Sequence, residues 1–165
     1  MSEDGPGAGE LAGFLPYQLS VTSNAVSSLI AERYRKRFGL KIPEWRVMAV
    51  LGDAEAAGRE LTQRSLTAAT VMDKVAVNRA ARVLEERGLI ARVPNPGDGR
   101  SHLLALTAEG RAIHAEVMPL ARATERELLE GFGGAEEADL RNLLARLRAR
   151  AMRLAEPAPE WPEQD

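Results

Sequence analysis

The chain has 165 residues, of which 45% are hydrophobic and 28% charged, and its formal net charge is −2 at pH 7. This composition is that of a globular protein and excludes an intrinsically disordered chain. The absence of cysteine excludes disulfides, thiol catalysis and cysteine-based zinc sites, and the 4% aromatic content favours a helical fold over a β-sandwich.

The sequence carries no run of about 18 apolar residues, so no transmembrane helix is predicted. The first residues include Glu3 and Asp4 and lack the basic and apolar regions of a secretion signal. We therefore expect a cytoplasmic protein. Its charge is uneven, because the stretch from Arg59 to Leu104 has a net charge of +3 and the rest sums to −5. A basic middle in an acidic chain indicates a local surface that faces an anion.

Both ends of the chain lack hydrophobic periodicity. Residues 1–13 hold four glycines and a proline, and residues 156–165 are rich in proline and acidic residues. Segments of this kind are typical of disordered tails, which is the prediction for both.

Two helices are predicted next. Regularly spaced apolar residues indicate a first helix from about Leu15 to Phe38, ending at Gly39. Pro43 stands at a favoured first-turn position and opens a second helix, which is predicted to close at Gly52.

A helix-turn-helix is predicted after them. Thr62 is a good N-cap for a short third helix, although no Glu or Gln follows three residues later to complete a capping box. After a turn at residues 69–72, Asp73 is the expected N-cap of a fourth helix over residues 74–87, which stops at Gly88. Two short helices joined by a tight turn are typical of this motif.

The apolar period then changes from 3.6 to about 2 residues. The runs LIARV and HLLAL flank the segment PNPGDGRS, which predicts a β-hairpin with an extended tip. Thr107 caps a further long helix in which Pro119 is expected to cause a kink, and a last helix spans about residues 135–155. The predicted fold is mainly α with a small β-hairpin wing.

These elements predict a domain division. Residues 41–106 form a winged helix-turn-helix DNA-binding domain, and residues 14–40 and 107–155 form a helical dimerisation region. The outer helices carry more apolar surface than a monomer of this size needs, which favours a homodimer.

The fourth helix has two contrasting faces. Its apolar residues Val77, Ala80, Ala81 and Leu84 are expected to point into the core. The opposite face carries Lys74, Val75, Asn78, Arg79 and Arg82. Arginine can bind guanine with two hydrogen bonds, asparagine can pair with adenine, and valine can pack on a thymine methyl. This face is predicted to enter a DNA major groove; the alternative is a solvated surface.

The hairpin tip offers a second contact with DNA. Arg100 can insert into a minor groove, and Asp98 can steady the loop or the arginine. The alternative is an ordinary Asp-Gly turn with a solvated arginine.

The stretch LTQRSLTAATVMDKVAVNRAARVLEERGLIARVPNPGDGRSHLLALT closely resembles the winged helix-turn-helix of MarR-type regulators. The upstream FGLKIPEWRVMAVLG and the LEERGLI, D-x-R and LT-x-x-G elements fall in that family's order, and the resemblance covers roughly residues 15–154. It implies a homodimeric transcriptional repressor on a pseudo-palindromic operator. The DNA-binding residues assigned on this basis are Arg64, Lys74, Val75, Asn78, Arg79, Arg82, Asp98 and Arg100. Two positions depart from the family, which often has Ser or Thr at Asn78 and a second arginine at Gly99.

The resemblance also implies a small, often phenolic, ligand between the dimerisation helices and the winged domain. The residues in the matching region are Ser20, Asn24, Ser28, Trp45, Arg46 and His114. An indole beside a guanidinium can accept an aromatic acid or aryl-CoA ligand by stacking and an ion pair. The similarity extends to regulators of aromatic catabolism that respond to hydroxycinnamoyl-CoA thioesters. The alternative is structural, with Trp45 in the core and Arg46 bracing a neighbouring acid.

Two other classes of function, an enzyme and a protein-binding module, are alternatives to DNA binding. No catalytic serine, cysteine or HExxH pattern and no phosphate-binding glycine loop occurs, so neither an enzyme nor a cofactor or metal site is predicted. A winged-helix module that binds protein without sequence-specific DNA binding remains the alternative. Such a module is expected to carry apolar anchors where the fourth helix has basic and polar side chains.

Overall fold

The computed structural model describes residues 10–155. The predicted C-terminal tail and residues 1–9 of the predicted N-terminal tail lie outside this range. The last four residues of the N-terminal tail form a short 3-10 helix, Glu10–Gly13, where disorder was expected. The turn is tied to the following helix because Nε2 of Gln18 donates a hydrogen bond of 2.6 Å to the carbonyl of Ala12.

The described part of the chain is mainly helical with a small antiparallel sheet, as predicted. The elements are α1 (Leu15–Phe38), α2 (Ile42–Ala56), β1 (Leu61–Thr62), α3 (Gln63–Thr70), α4 (Lys74–Glu86), β2 (Ile90–Pro94), β3 (His102–Leu106), α5 (Ala108–Leu128) and α6 (Gly134–Ala155). None of these helices is long and apolar enough to cross a membrane.

The first two helices differ in how well their ends were predicted. Gly39 ends α1 in the left-handed conformation, with φ of 63°, as its sequence indicated. Gly52, however, lies inside α2, which continues to Ala56, so the predicted end was wrong. The glycine allows the ring of His114 to pack against the helix backbone, because a Cβ at this position would overlap the imidazole.

The caps of α3 and α4 fix the helix-turn-helix. The hydroxyl of Thr62 accepts from the backbone N–H of Ser65 at 3.2 Å, and the Ser65 hydroxyl accepts from the N–H of Thr62 at 2.8 Å. The capping box predicted to be absent is therefore present, because serine takes the place of the longer glutamate. Asp73 caps α4 as predicted, accepting from the N–H of Ala76 at 2.8 Å.

The sheet has one strand more than predicted. The hairpin strands β2 and β3 pair antiparallel, and β1 adds to the other edge of β3, with Leu61 opposite Leu104. Two residues are too few to show the alternation that marks a strand. At the base of the wing, the Thr107 hydroxyl accepts from the N–H of Gly110 at 3.0 Å and donates to the carbonyl of Gly88 at 2.6 Å.

The core lies where α2, α4, the sheet and the ends of α1 and α5 meet. Its largest fully buried hydrophobic side chains are Tyr34, Leu40, Val47, Met48, Leu66, Val77, Leu84, Leu89 and Val117. α4 is therefore packed on the core through its apolar face.

The chain divides into two compact units, the first ending at Thr124 and the second beginning at Glu125, within α5. In the second unit α6 contains no buried residue. Its apolar seam is exposed: Leu140, Leu143, Leu144 and Leu147. Pro119 lies inside α5, and the kink expected there stays a prediction.

Candidate nucleic-acid interface

The two faces of α4 separate as the periodicity predicted. Val77, Ala80, Ala81 and Leu84 are at most 3% exposed. All five residues of the predicted DNA-facing side are exposed, as is Glu86 at the end of the helix: Lys74, Val75, Asn78, Arg79 and Arg82. The N-terminal half of the helix therefore presents donors, positive charge and one apolar side chain to solvent.

The basic residues of this surface differ in their pairing. Nε of Arg82 donates to Oε1 of Glu86 at 2.8 Å, one turn along the helix. Arg64, Lys74 and Arg79 form no ion pair within residues 10–155. Unpaired cations on an exposed face can bind phosphates or base edges without first breaking an internal salt bridge.

Asn78 is held from a neighbouring helix. Nε2 of Gln63, the first residue of α3, donates to Oδ1 of Asn78 at 3.0 Å. Oε1 of Gln63 in turn accepts from Nη2 of Arg92 on β2 at 3.3 Å, and Nε of Arg92 donates to Oε1 of Glu85 at 2.7 Å. No spacing in the sequence marks Gln63, Arg92 and Glu85 as parts of this surface, because the three elements that carry them meet only in the tertiary structure.

Two valines are exposed at the turn between α3 and α4 and just after it. Val71, in the turn, has a positive φ of 52° and is 86% exposed, and Val75, the second residue of α4, is 66% exposed. Val71 is the one non-glycine residue with a positive φ in the described chain. These methyl groups are available for an apolar contact such as the methyl of thymine.

The wing tip is ordered by its own hydrogen bonds. Oδ1 of Asp98 accepts from the backbone N–H of Arg100 at 3.0 Å, and Nδ2 of Asn95 donates to the hydroxyl of Ser101 at 2.8 Å. Asp98 thus steadies the loop backbone, one of the two roles predicted for it. The guanidinium of Arg100 is exposed and forms no ion pair with any residue that the structure describes.

The C-terminal end of α4 is tied to α1. The guanidinium of Arg87 donates to the carbonyls of Phe38 and Gly39 at 2.7 and 3.1 Å. These carbonyls belong to the negative end of the α1 dipole, where a cation is favoured. These hydrogen bonds fix the end of α4 to the end of α1.

The residues predicted to bind a ligand are only partly brought together. Trp45 is 9% exposed and packs between Tyr34, at 5.7 Å between ring centroids, and His114, at 5.6 Å. Burial raises the pKa of Tyr34 to about 12. Burial also lowers the pKa of His114, against an opposing effect of the Glu55 charge. Trp45 is thus a core residue, as the structural alternative predicted.

The remaining ligand candidates lie apart. Arg46 is half-buried and forms no ion pair with a described residue, so the acid that it was expected to brace is not found. Its positive charge lowers the pKa of Tyr34, against the larger opposing effect of burial. Three polar residues lie exposed on α1: Ser20, Asn24 and Ser28. No hydrogen bond in the described chain joins them to Trp45, Arg46 or His114.

A separate open cavity of about 320 Å³ lies beside the sheet. Its walls include Leu51, Leu61 and Val93, and the basic residues at it are Arg59 and Arg111. Arg59 pairs with Asp53 at 2.8 Å, and Arg111 pairs with Glu55. Both cations are therefore already neutralised within the chain.

Comparison with known proteins gives a consistent result. The family model that matches residues 38–101 is that of the MarR family. The transcriptional regulator HosA of Escherichia coli is 30% identical over 95 residues, which are 58% of this chain and 67% of HosA. An HTH-type transcriptional repressor of Mycobacterium tuberculosis is 26% identical over 136 residues, 82% of this chain and 91% of the repressor. A solved structure of a probable transcriptional regulator from Pseudomonas aeruginosa is 30% identical, with a TM-score of 0.69, and covers 84% of this chain and 99% of its own.

Proposed function

The chain belongs to the MarR family of DNA-binding transcriptional regulators, and we propose that it acts as a homodimeric repressor on a pseudo-palindromic operator, from which a small aromatic ligand releases it. The observation that carries the proposal is the exposed face of α4 with its unpaired cations Lys74 and Arg79, and the exposed Arg100 of the hydrogen-bonded wing tip adds a further cation. A capped helix packed on the core by its other face holds such side chains at fixed positions, as base recognition requires.

The exposed residues divide into two roles. Arg79, with Val75 and Asn78 beside it, is placed to read base edges in the major groove. Lys74, Arg64 and Arg100 supply positive charge that binds phosphates. Arg100, at the wing, also supplies positive charge to a minor groove. Arg82 and Asp98 are positioning residues in this assignment, since each is engaged within the chain.

The homodimer is supported by apolar surface that a single chain leaves in water. The leucines of α6 are exposed, and so are Leu15, Tyr17 and Val21 at the start of α1. Surfaces of this kind in monomeric proteins are small, and larger ones mark an interface. A twofold dimer presents its two recognition helices to half-sites about 10 bp apart, which makes the operator pseudo-palindromic.

The aromatic effector is supported by Arg46. A half-buried guanidinium without a carboxylate partner in the described structure can receive the carboxylate of an aromatic acid.

Fluorescence anisotropy with labelled DNA from the intergenic region beside the protein's own gene tests this proposal. We expect selective binding whose log K falls with log salt by about 0.9 per phosphate neutralised, and release by one member of a panel of phenolic acids and their CoA esters. Binding no better than to random DNA at any salt concentration contradicts the operator assignment and favours the protein-binding alternative.

A further inference from the structure

We propose that Gln63, oriented by Arg92, fixes the side-chain amide of Asn78 so that its Nδ2 donor faces the DNA, and that the protein therefore selects guanine and thymine over cytosine opposite Asn78. This inference rests on the proposed function, because it specifies one base of the operator. It concerns four side chains on α3, α4 and β2, which we call the amide relay: Glu85, Arg92, Gln63 and Asn78.

The relay has a fixed direction because arginine can only donate hydrogen bonds. Arg92 is anchored by two bonds to Glu85, from Nε to Oε1 at 2.7 Å and from Nη2 to Oε2 at 3.2 Å. The side chains of Arg92 and Glu85 are only 41% and 28% exposed, so this pair is partly protected from water. The guanidinium is thereby held with Nη2 also directed at Gln63.

The orientation of Gln63 follows from that anchor. Only its Oε1 can accept from Arg92, so the oxygen must face β2. The amide nitrogen of the same side chain is then left to face α4, where it donates to Asn78. Reversing the Gln63 amide would place its NH2 group against the guanidinium, donor against donor.

The orientation of Asn78 follows in the same way. Because Nε2 of Gln63 is a donor, Oδ1 of Asn78 must face α3, at the observed 3.0 Å. Nδ2 of Asn78 has no hydrogen-bond partner among the described residues. The group that this exposed side chain offers to a base is therefore a donor.

The consequence is a preference among bases. Pairing with adenine through two hydrogen bonds needs Oδ1 to face the adenine N6 amino group, and here Oδ1 is directed at Gln63. A lone donor is matched by O6 and N7 of guanine, by O4 of thymine and by N7 of adenine, whereas cytosine presents only its N4 amino donor in the major groove. The relay thus selects against cytosine at one position in each half-site, and it removes the two-bond pairing that would favour adenine.

The test is a selection of binding sites from randomised DNA, followed by sequencing, for the full-length protein and its variants. Asn78→Ala identifies the position that Asn78 reads, because the preference there collapses. At that position we expect the native protein to prefer guanine and thymine over cytosine by about threefold to tenfold, the value of one hydrogen bond.

Gln63→Glu is the decisive variant. A carboxylate only accepts hydrogen bonds, so it can still bind Arg92, but it must draw Nδ2 of Asn78 inward and turn Oδ1 outward. We expect the preference to reverse toward adenine and cytosine. The matched control is Ala68→Glu, which adds the same charge to an exposed position of α3 outside the relay. This control should weaken binding without reversing the preference.

A second variant keeps the test decisive if the added charge abolishes binding. Gln63→Met has similar length and no polar atoms, so the Asn78 amide is released and the base preference should relax to near equality. Thermal unfolding followed by circular dichroism checks that each variant folds. Retained discrimination against cytosine in Gln63→Glu or in Gln63→Met overturns the relay while leaving the regulator assignment intact. Failure of the native protein to select any sequence overturns the proposed function, and the relay with it.

Discussion

Val71 ends α3 in a backbone conformation that β-branched residues rarely adopt, with φ of 52°. The left-handed region costs an L-residue about 1–2 kcal/mol, because Cβ crowds the carbonyl oxygen. Nothing in the packing offsets this cost, since the side chain is 86% exposed. The strain lies in the turn that sets α4 relative to α3, on the surface assigned to DNA.

Val71→Asn is therefore expected to raise the free energy of unfolding by about 0.5–1 kcal/mol, because asparagine tolerates the left-handed region. Urea denaturation measures the change. The matched control is Val75→Asn, at an exposed valine in ordinary helical conformation, which should gain nothing. Equal effects of the two substitutions would show that the turn is not strained.

Arg79 and Arg100 are expected to contribute to binding in different ways. Arg79→Ala should cost about 1–3 kcal/mol for the cognate base at one position of each half-site and relax specificity there. Arg100→Ala should weaken binding to cognate and random DNA nearly equally, because we assign the wing to contacts with phosphates and with the negative potential of a minor groove. Anisotropy titrations against operator variants separate the two effects. Unchanged discrimination in Arg79→Ala would contradict the assigned recognition face.

At the scale of elements, α2 and α5 are joined by the contact between Gly52 and His114. Glycine inside a helix normally costs about 1 kcal/mol relative to alanine. Here the absence of Cβ allows the imidazole to lie against the α2 backbone, where it also packs on Trp45. The propensity of a single residue is outweighed by the packing between the two helices.

Gly52→Ala should therefore destabilise the protein by about 1–2 kcal/mol, although alanine is the better helix former, because the new methyl overpacks against His114. Urea denaturation with Gly134→Ala as control makes the comparison. Gly134 is also helical, but a Cβ there meets no neighbouring atom, so that substitution should be neutral or stabilising. A stabilised Gly52→Ala would contradict the close packing of the ring.

The same contact predicts a pH dependence. Burial lowers the pKa of His114 from its ordinary 6.5, so the unfolded chain binds a proton more readily than the folded one. The associated stability is complete above pH 6.5 and is lost as the pH falls from there toward the folded-state pKa. The melting temperature should fall more between pH 7.5 and pH 5.5 for the native protein than for His114→Phe, which keeps a ring without a titrating group. Parallel curves for the two proteins would contradict this origin.

At the scale of the whole molecule, the exposed apolar seam of α6 is the surface that we propose for dimerisation. A helix with no buried residue gains little from burial in a single chain. Its leucines lie on one side at spacings of three, four and seven residues, so that a second copy can cover them together. Dimerisation would then also set the distance between the two recognition helices.

Leu144→Glu is expected to shift the protein from dimer to monomer and to lower operator affinity at least tenfold, because one chain can hold only one half-site. Sedimentation velocity measures the assembly, and anisotropy measures the binding. Asn142→Glu, which adds the same charge on the opposite side of α6, serves as the control. A Leu144→Glu protein that remained dimeric would contradict the interface assigned to α6.

The sequence alone determined the elements and their faces. The helical period identified α1 and the buried side of α4, the caps at Asp73 and Thr107 marked helix starts, and the alternating runs around PNPGDGRS identified the wing. These signals act within about four residues along a helix or two along a strand, so they are present in the sequence before any packing occurs. They were enough to indicate a DNA-binding face and the family.

The tertiary structure decided what depends on residues distant in sequence. Gly52 is a contact site and not a helix end because His114 arrives from α5, and β1 exists because β3 offers it a partner. The orientation of Asn78 depends on Gln63, 15 residues earlier, which depends on Arg92, 29 residues beyond Gln63. Such contacts form only when the core has placed three elements side by side, and no local pattern specifies which of many polar side chains will then meet.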